Sequence, residues 1–130
     1  MFEPKATFSG FSVDDISKAK EFYITKLGFE LKEEKAGLGI TLPDGAALFI
    51  YEKPDHEPAG FTVLNFVVDD IDGAVEDLRG RGVDFERYDL GDDVEQDDKD
   101  IMRGLAAGMG PDIAWFEDPA GNVLAVLQDE

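Results

Sequence analysis

The sequence predicts an α+β fold built from two βαβββ modules in a single domain, residues 1–130. The stretch "FSVDDISKAKEFYITKLGFELKE", which begins at Phe11, recurs 55 residues later as "FVVDDIDGAVEDLRGRGVDFERY", which begins at Phe66. After each copy come two β-like runs joined by a turn that contains Pro, Asp and Gly. A chain of 130 residues that is 43% hydrophobic is also long enough to bury one core.

Each copy opens with a short β-like run that ends in Val-Asp-Asp-Ile and continues as a helix. The aspartates suit a helix start, because a carboxylate accepts the unpaired N–H groups there and meets the positive end of the helix dipole. Gly28 suits the first helix end, and either Gly80 or Gly82 suits the second. Apolar residues at helical spacing support both helices: Ile16, Ala19, Tyr23 and Leu27, and then Ile71, Ala74, Val75 and Leu78.

The remaining strands follow in the same order in both modules. A second run comes directly after each helix, "FELKEE" and "VDFERY", and the hairpins are "GITLPDGAALFIY" and "DIAWFEDPAGNVLAVLQ". The polar segment "EKPDHEPAG" carries two prolines and separates the halves. We therefore expect a first module over about 5–52, a linker over about 53–60 and a second module over about 61–130.

Composition excludes several classes of function. The chain has no cysteine, so disulfides, thiolate catalysis and cysteine-bound zinc are excluded. Its net charge of −18 repels phosphate backbones and anionic lipids, which disfavours nucleic-acid and membrane partners. The charge fits either a site that attracts cations or a generally acidic surface adapted to high salt, and the even spread of the acids favours the latter. The start "MFEPKATFSG" has no signal-peptide features, which favours a cytoplasmic location.

The repeated modules, the stretch "DDISKAKEFYITKLGFEL" and the D-P-x-G-N turn that begins at Asp118 resemble the vicinal oxygen chelate superfamily. This superfamily includes glyoxalase I, bleomycin-resistance proteins and extradiol dioxygenases. The resemblance covers nearly the whole chain. It implies two sheets that face one another around a cleft, a homodimer and, in the metal-dependent members, four His, Gln or Glu side chains that hold one divalent ion.

The four metal-ligand positions implied by the resemblance are occupied here by Phe8, Phe49, Val63 and Ala125. None of these side chains can bind a divalent cation, which needs oxygen or imidazole donors. Shifting any strand by one residue brings no His, Glu or Asp into place. The sequence therefore predicts no metal and no cofactor, and it argues against glyoxalase or dioxygenase activity.

For the other candidate groups, a structural role is favoured over a catalytic or metal-binding one. The single histidine, His56, lies in the proline-containing linker and is expected to be exposed. The acidic run 89–100 is expected to be a solvated loop, since it lacks the glycine and terminal Glu of a calcium loop. Asp118, Gly121 and Asn122 suit a tight turn. The sequence shows no acid–base pair at diagnostic spacing among the candidates on strand positions: Tyr51, Tyr88 and Glu117.

The leading functional prediction is metal-independent binding of a small organic molecule, with sequestration of an aromatic or cationic compound. Alternation along strands turns the former metal site into an apolar and aromatic surface with scattered hydrogen-bonding groups. Phe8 and Phe49 could equally fill the cleft as core, and Trp115 is either core or a stacking surface. The alternatives are a metal-dependent lyase or dioxygenase with atypical ligands, and a structural or regulatory dimer with a filled cleft. The predicted ligand-binding residues are Phe8, Ser12, Phe49, Tyr51, Val63, Asn65, Trp115 and Ala125.

Overall fold

The computed structural model describes residues 1–88 and 95–130. It divides into two units, Met1–Pro58 and Ala59–Glu130, each with its own four-stranded mixed sheet. The predicted α+β fold with two repeated modules is thereby confirmed. Among the described residues, no helix is both long and apolar enough to cross a membrane.

The first unit has the predicted order of strand, helix and three strands. Its sheet order is β1-β4-β3-β2, in which β1 runs parallel to β4 and the other neighbours are antiparallel. The helix begins as an α-helix and continues as a π-helical segment, Glu21–Lys26, where Leu27 N–H donates to the Phe22 carbonyl five residues earlier at 3.0 Å. The elements are β1 (Ser9–Val13), α1 (Ile16–Lys20), β2 (Glu30–Glu34), β3 (Gly37–Thr41) and β4 (Ala47–Glu52).

The core of the first unit lies between its sheet and its helix. Phe11 on β1 pairs in register with Ile50 on β4, and the Phe11 ring lies 6.1 Å from the ring of Tyr23 in the π-helical segment. Tyr23 and Ile50 are fully buried. Because neighbouring residues of a strand point to opposite faces, Gly10, Ser12 and their partners on β4 lie on the face away from the helix.

The second unit repeats this topology with the sheet order β5-β8-β7-β6, again with a parallel pair, β5 and β8. Its helix is a continuous α-helix whose buried residues are Ile71 and Val75. The expected strand "VDFERY" is wrong in extent: within the described residues it forms one isolated bridge, Phe85 to Phe116, and β6 lies further along the chain. The elements are β5 (Thr62–Val67), α2 (Ile71–Gly80), β6 (Met102–Arg103), α3 (Gly104–Ala107), β7 (Asp112–Glu117) and β8 (Val123–Gln128).

Both Val-Asp-Asp-Ile sequences start a helix as predicted. The Asp15 carboxylate accepts the N–H groups of Ser17 and Lys18 at 3.0 and 3.2 Å, and the Asp70 carboxylate accepts that of Gly73 at 3.2 Å. At the helix ends, Gly28 and Gly82 have positive φ values of 77° and 89°, a conformation that glycine adopts without strain. Gly82 is therefore the residue that ends the second helical segment, after the C-cap Arg81.

An ionic cluster ties β6 to α2 in the second unit. The Arg103 guanidinium donates to both oxygens of Asp72 at 2.7 and 3.1 Å and to Asp97 at 2.8 Å, and it lies 3.5 Å from Asp112. Lys99 Nζ lies 3.2 Å from Asp72. Residues 89–94 of the acidic run lie outside the described residues. For Asp97 the expectation of a solvated loop is wrong, because it is partly buried and ion-paired.

Candidate functional site

A row of three aromatic rings crosses the first sheet on the face away from the helix. The rings of Phe8 and Phe49 meet edge to face with centroids 6.3 Å apart, and those of Phe49 and Tyr51 stack at 6.2 Å with 19° between their planes. We call these three residues the aromatic strip. Phe8 is 71% exposed and Tyr51 is 39% exposed, while Phe49 between them is half-buried. The strip therefore presents ring surface outside the core of its own unit.

Glycines flank Phe49 on both neighbouring strands, so neither residue that pairs with it contributes a side chain. In the strand register Phe49 lies between Gly10 of β1 and Gly39 of β3. Its ring also packs against Gly37, where an added Cβ would lie 3.0 Å from Phe49 Cζ and 2.2 Å from the Ile50 carbonyl oxygen. The Phe49 ring therefore packs directly on the backbone of β3.

A polar pair lies beside the strip. Ser12 of β1 pairs in register with Tyr51, so the two share a face, and Ser12 Oγ lies 2.6 Å from His56 Nδ1. His56 is half-buried, so the expectation of an exposed linker histidine is wrong. The contact joins residues 44 positions apart, which explains why the local composition of the linker gave no sign of it.

Residues that the repeat predicts to be equivalent lie at equivalent points of the two sheets. Gly10 pairs with Phe49 in the first unit, and Asn65 pairs with Ala125 in the second. Trp115 is the partner of Ala125 on the other side, and its ring lies 5.5 Å from that of Tyr88. Ala125 is fully buried, and Trp115 is half-buried.

Val63 departs from simple alternation. The register shifts between Thr62 and Leu64, since these two residues pair with the consecutive residues Val123 and Leu124. Val63 is thus the extra residue of a β-bulge, and the parity argument that grouped it with Asn65 does not fix its direction. Asn65 and Val67, beyond the bulge, keep the predicted register opposite Ala125 and Leu127.

The residues at the four ligand positions do not fit a metal ion. The pairings Gly10–Phe49 and Asn65–Ala125 show that the strands concerned have equivalent registers in the two units. The four ligand positions all hold hydrocarbon side chains: Phe8, Phe49, Val63 and Ala125. In residues 1–88 and 95–130, no group of three or more His, Asp or Glu side chains has a geometry that could hold a metal. No chemistry through a metal at these positions follows from this structure.

Two titratable groups on the second sheet are perturbed. Burial and the nearby Glu86 and Glu117 carboxylates raise the pKa of Tyr88. Burial raises the pKa of Glu117 as well, with help from Glu86 and Asp118. Alternation places Glu117 on the same face as Trp115. Both shifts extend the protonated, neutral form of these side chains to higher pH.

The Asp118–Asn122 turn has a structural role. The Asp118 carboxylate accepts N–H groups from Ala120 and Asn122 at 2.9 Å each, and its second oxygen accepts from the Asn122 amide at 3.0 Å. Gly121 has a φ of 84°, which the turn requires. Asp118 and Asn122 are 4% and 2% exposed. Their hydrogen bonds hold the turn together, as predicted.

Known proteins resemble this chain in sequence and in fold. An uncharacterized protein from Bacillus subtilis (strain 168), YwkD, is 31% identical over 86 residues, which cover 55% of this chain and 67% of that protein. The antibiotic binding protein TnmS3 from Streptomyces sp. CB03234 is 25% identical, with a TM-score of 0.63 over 99% of this chain and 100% of that chain.

Two further solved structures share the fold at lower identity. A glyoxalase/bleomycin resistance protein/dioxygenase from Alicyclobacillus acidocaldarius is 19% identical, with a TM-score of 0.66 and coverage of 99% and 95% of the two chains. The fosfomycin resistance protein FosX from Listeria monocytogenes is 13% identical, with a TM-score of 0.67 and coverage of 99% and 96%. A family model matches residues 8–126 of this chain, which belongs to the glyoxalase/bleomycin resistance protein/dioxygenase superfamily.

Proposed function

We propose that this chain binds a small aromatic or cationic molecule without a metal and sequesters it. The observation that carries the proposal is the aromatic strip, in which Phe8, Phe49 and Tyr51 form a contiguous row of rings on one sheet face. Such a row is not needed to fill the first unit's core, which is formed on the other face by Ile50, Tyr23 and their neighbours.

The strip suits a planar ligand. Aromatic pairs in offset or edge-to-face arrangements contribute about 0.5–1.5 kcal/mol each beyond the burial of area. A tricyclic ligand that covers Phe8 and Tyr51 would make two or more such pairs while removing exposed ring surface from water. Gly10 and Gly39 add no side chain beside Phe49, and the flexible Glu34 carboxylate lies over Gly39, 3.4 Å from where its Cβ would be.

The charge distribution favours a positively charged ligand. Glu30, Lys32 and Glu34 of β2 pair with Thr41, Gly39 and Gly37 of β3, so by register all three lie on the same face as the strip and give this edge a net charge of −1. Aromatic faces attract cations by about 0.5–2 kcal/mol, and the net charge of −18 raises the local concentration of cations. The acidic surface therefore supports the cationic part of the proposal, besides its interpretation as salt adaptation.

In the second unit we propose Trp115 as the corresponding aromatic surface. Asn65 lies across Ala125 from it in the strand register and supplies a hydrogen-bonding amide. Ala125 is fully buried between Asn65 and Trp115, so its proposed part is to support these two side chains from below, and Val63 stays in the proposed set as an apolar side chain at the bulge. Support for a binding role also comes from TnmS3, an antibiotic binding protein that is 25% identical to this chain over nearly its whole length.

The homodimer that the resemblance implies is also proposed for this chain. Light scattering at micromolar concentration tests it directly, since a dimer has twice the monomer mass of 14.3 kDa. A monomeric mass would overturn this part of the proposal and leave the binding role unaffected.

Titration with a fluorescent aminoacridine cation tests the binding function. We expect saturable binding, and we expect the Phe8→Ala and Phe49→Leu variants to weaken it at least about 5-fold, since each removes a ring contact of about 1 kcal/mol. Phe8→Ala is the safer variant for folding, because Phe8 lies before β1 and is largely exposed. Met109→Ala, at another exposed apolar side chain, is the matched control and should bind like the parent chain.

Metal titration separates this proposal from the metal-dependent alternatives. We expect Ni²⁺, Zn²⁺, Mn²⁺ and Fe²⁺ to leave the melting temperature unchanged. Stoichiometric metal binding that raises the melting temperature as linkage requires, together with aminoacridine binding that is insensitive to Phe8 and Phe49, would overturn the proposed function.

A further inference from the structure

The segment before the acidic run lies beside β7 in the second unit. Phe85 and Phe116 form an antiparallel bridge and face α2, because Phe116 is fully buried and the Arg79 guanidinium of α2 lies 5.5 Å from the centroid of the Phe85 ring. Glu86 N–H donates to the Trp115 carbonyl at 2.8 Å and so continues this pairing. Since neighbouring residues point to opposite faces, Glu86 and Trp115 lie opposite one another on the face away from α2.

Two aromatic rings on this face form an open corner. The rings of Tyr88 and Trp115 lie 5.5 Å apart, and their planes are inclined at 66° to one another. We call these two rings the aromatic corner. Tyr88 is 37% exposed and Trp115 is half-buried, so both rings reach the surface. A group seated between rings in this arrangement lies within about 6 Å of both centroids, the range over which aromatic faces attract cations.

Two carboxylates flank the aromatic corner. Glu117 is two residues beyond Trp115 on β7 and shares its face, and it is the diagonal neighbour of Glu86, at a separation of about 7–8 Å between Cα atoms. Burial comes first among the causes that raise the pKa of Tyr88, and the Glu86 and Glu117 carboxylates come next. Burial and then Glu86 raise the pKa of Glu117. A positive charge placed among these groups would relieve their mutual repulsion.

The basic side chains of the second unit are engaged with other carboxylates. Within residues 59–88 and 95–130, neither Glu86 nor Glu117 belongs to an ion pair, whereas each Arg and Lys of the unit pairs with an aspartate. These pairs are Arg79 and Arg87 with Asp100, Arg81 with Asp77, and Lys99 and Arg103 with Asp72. The described part of the unit therefore supplies no counter-ion to the two carboxylates beside the rings.

We propose that the aromatic corner and its two flanking carboxylates bind an alkylated ammonium group of a small organic cation. This inference rests on the proposed binding function and assigns one ligand class to its aromatic surface in the second unit. A quaternary ammonium group suits aromatic faces, and the carboxylates complement its charge without needing a hydrogen-bond donor. A metal ion is a poorer occupant, because the rings offer it no oxygen or imidazole donors.

Titration with choline tests the inference. The single tryptophan of the chain is Trp115, so its fluorescence reports directly on the aromatic corner. Ionic strength is held constant with sodium chloride at pH 8, because a net charge of −18 attracts any cation. The neutral probe 3,3-dimethylbutan-1-ol has the shape of choline without its charge. We expect saturable choline binding, and binding of the neutral probe at least about 10-fold weaker.

Substitutions in the site and outside it separate specific binding from general attraction. Glu86→Gln and Glu117→Gln should each weaken choline binding about 3-fold, since each removes one nearby charge. Tyr88→Leu should weaken it about 3-fold, whereas Tyr88→Phe, which keeps the ring, should bind like the parent chain. Glu76→Gln is the matched control, because it removes the same charge from an exposed position on α2. Its expected change is below about 1.5-fold.

Equal binding of choline and the neutral probe would overturn the inference. So would equal effects of Glu76→Gln and Glu86→Gln, which would show general attraction by the acidic surface. Unchanged melting temperatures of the two glutamine variants in the site would show that weaker binding is not lost folding, and the test then stands even where Tyr88→Leu fails to fold.

The aminoacridine titration separates this inference from the proposed function. Aminoacridine binding that depends on Phe8, without saturable choline binding, would overturn the ammonium site and leave the aromatic strip standing. Saturable choline binding with aminoacridine binding that is insensitive to Phe8 and Phe49 would overturn the aromatic strip instead. If neither probe binds, both proposals fail.

Discussion

The two units share one topology and stabilise it differently. In the first unit β2 pairs with β3 along all five of its residues, from Glu30–Thr41 to Glu34–Gly37. Among the described residues of the second unit, the matching edge of β7 pairs with Phe85 through an isolated bridge and with the two residues of β6. The ionic cluster around Arg103 then joins β6 to α2. A repeated topology can therefore be completed either by backbone pairing or by charged side chains.

The equivalent positions show where this difference begins. Ser17 in the first turn of the first helix corresponds, by the 55-residue offset, to Asp72 in the second. Asp72 accepts two hydrogen bonds from Arg103, whereas the Ser17 N–H is part of the Asp15 cap. The ion pairs Lys20–Glu33 and Lys53–Asp55 of the first unit join mostly exposed side chains, which contribute little to stability.

Removing the centre of the ionic cluster should produce the largest effect. Arg103→Leu leaves Asp72, Asp97 and Asp112 without this partner, and we expect the free energy of unfolding to fall by about 2.5 kcal/mol, less than for a fully buried network because Arg103 and Asp72 are partly exposed. Lys53→Leu in the first unit is the matched control, with an expected loss below about 0.5 kcal/mol. Urea unfolding followed by Trp115 fluorescence measures both. Equal losses in the two variants would show that ion pairs contribute equally to the stability of the two units.

A methyl group at Gly37 should test the backbone pairing of the first unit. The Cβ of Gly37→Ala would lie 2.2 Å from the Ile50 carbonyl oxygen, so β3 or β4 must shift, and we expect a cost of about 2 kcal/mol. Gly39→Ala is the control, because its Cβ would lie 3.4 Å from the flexible Glu34 side chain and 3.6 Å from the Lys32 carbonyl oxygen, which are ordinary contacts. Its expected change is below about 0.5 kcal/mol. Melting temperatures that fall equally would contradict the close packing at Gly37.

Acid should weaken the ionic cluster by a smaller amount. Hydrogen bonds from Arg103 and then Lys99 lower the pKa of Asp72 to about 2. Since the folded value lies below the ordinary one of about 3.9, the stabilisation is complete above pH 4 and is lost as the pH falls from 4 to 2. Asp72 is 41% exposed, so we expect only about 1 kcal/mol after allowing for solvent screening.

Comparison with Asp72→Asn isolates this contribution. Urea midpoints measured from pH 5 to pH 2 should draw together for the parent chain and the variant as the pH approaches 2, because the ionised fraction of Asp72 in the parent chain falls over this range. Parallel curves over the whole range would mean that Asp72 does not carry this pH dependence.

The fold could be predicted because its signals are local. Asp15 and Asp70 cap their helices through N–H groups two or three residues away, and Asp118 holds a turn of five residues. The resemblance placed Phe8 and Phe49 at two ligand positions of the same module, and the structure places these rings 6.3 Å apart. Their part in binding stays a prediction.

The features that could not be predicted depend on distant contacts. Arg103 and Asp72 are 31 residues apart, and Ser12 and His56 are 44 residues apart. The π-helical segment at Glu21–Lys26 accompanies the packing of Phe22 against Tyr23 at 5.1 Å, and helical periodicity alone does not distinguish it from an α-helix. A hydrophobic pattern shows which face is buried, but it does not show which charged or polar side chains meet across the fold.

The parallel pairing of the first and last strands has a consequence for the order of folding. β1 must find β4 across about 40 residues, whereas β5 must find β8 across about 60, and longer loops cost more entropy to close. Contacts distant in sequence also form slowly. The first unit can pair β1 with β4 while the ribosome is still adding the second, because its last strand ends at Glu52. We therefore expect the sheet of the first unit to form before that of the second.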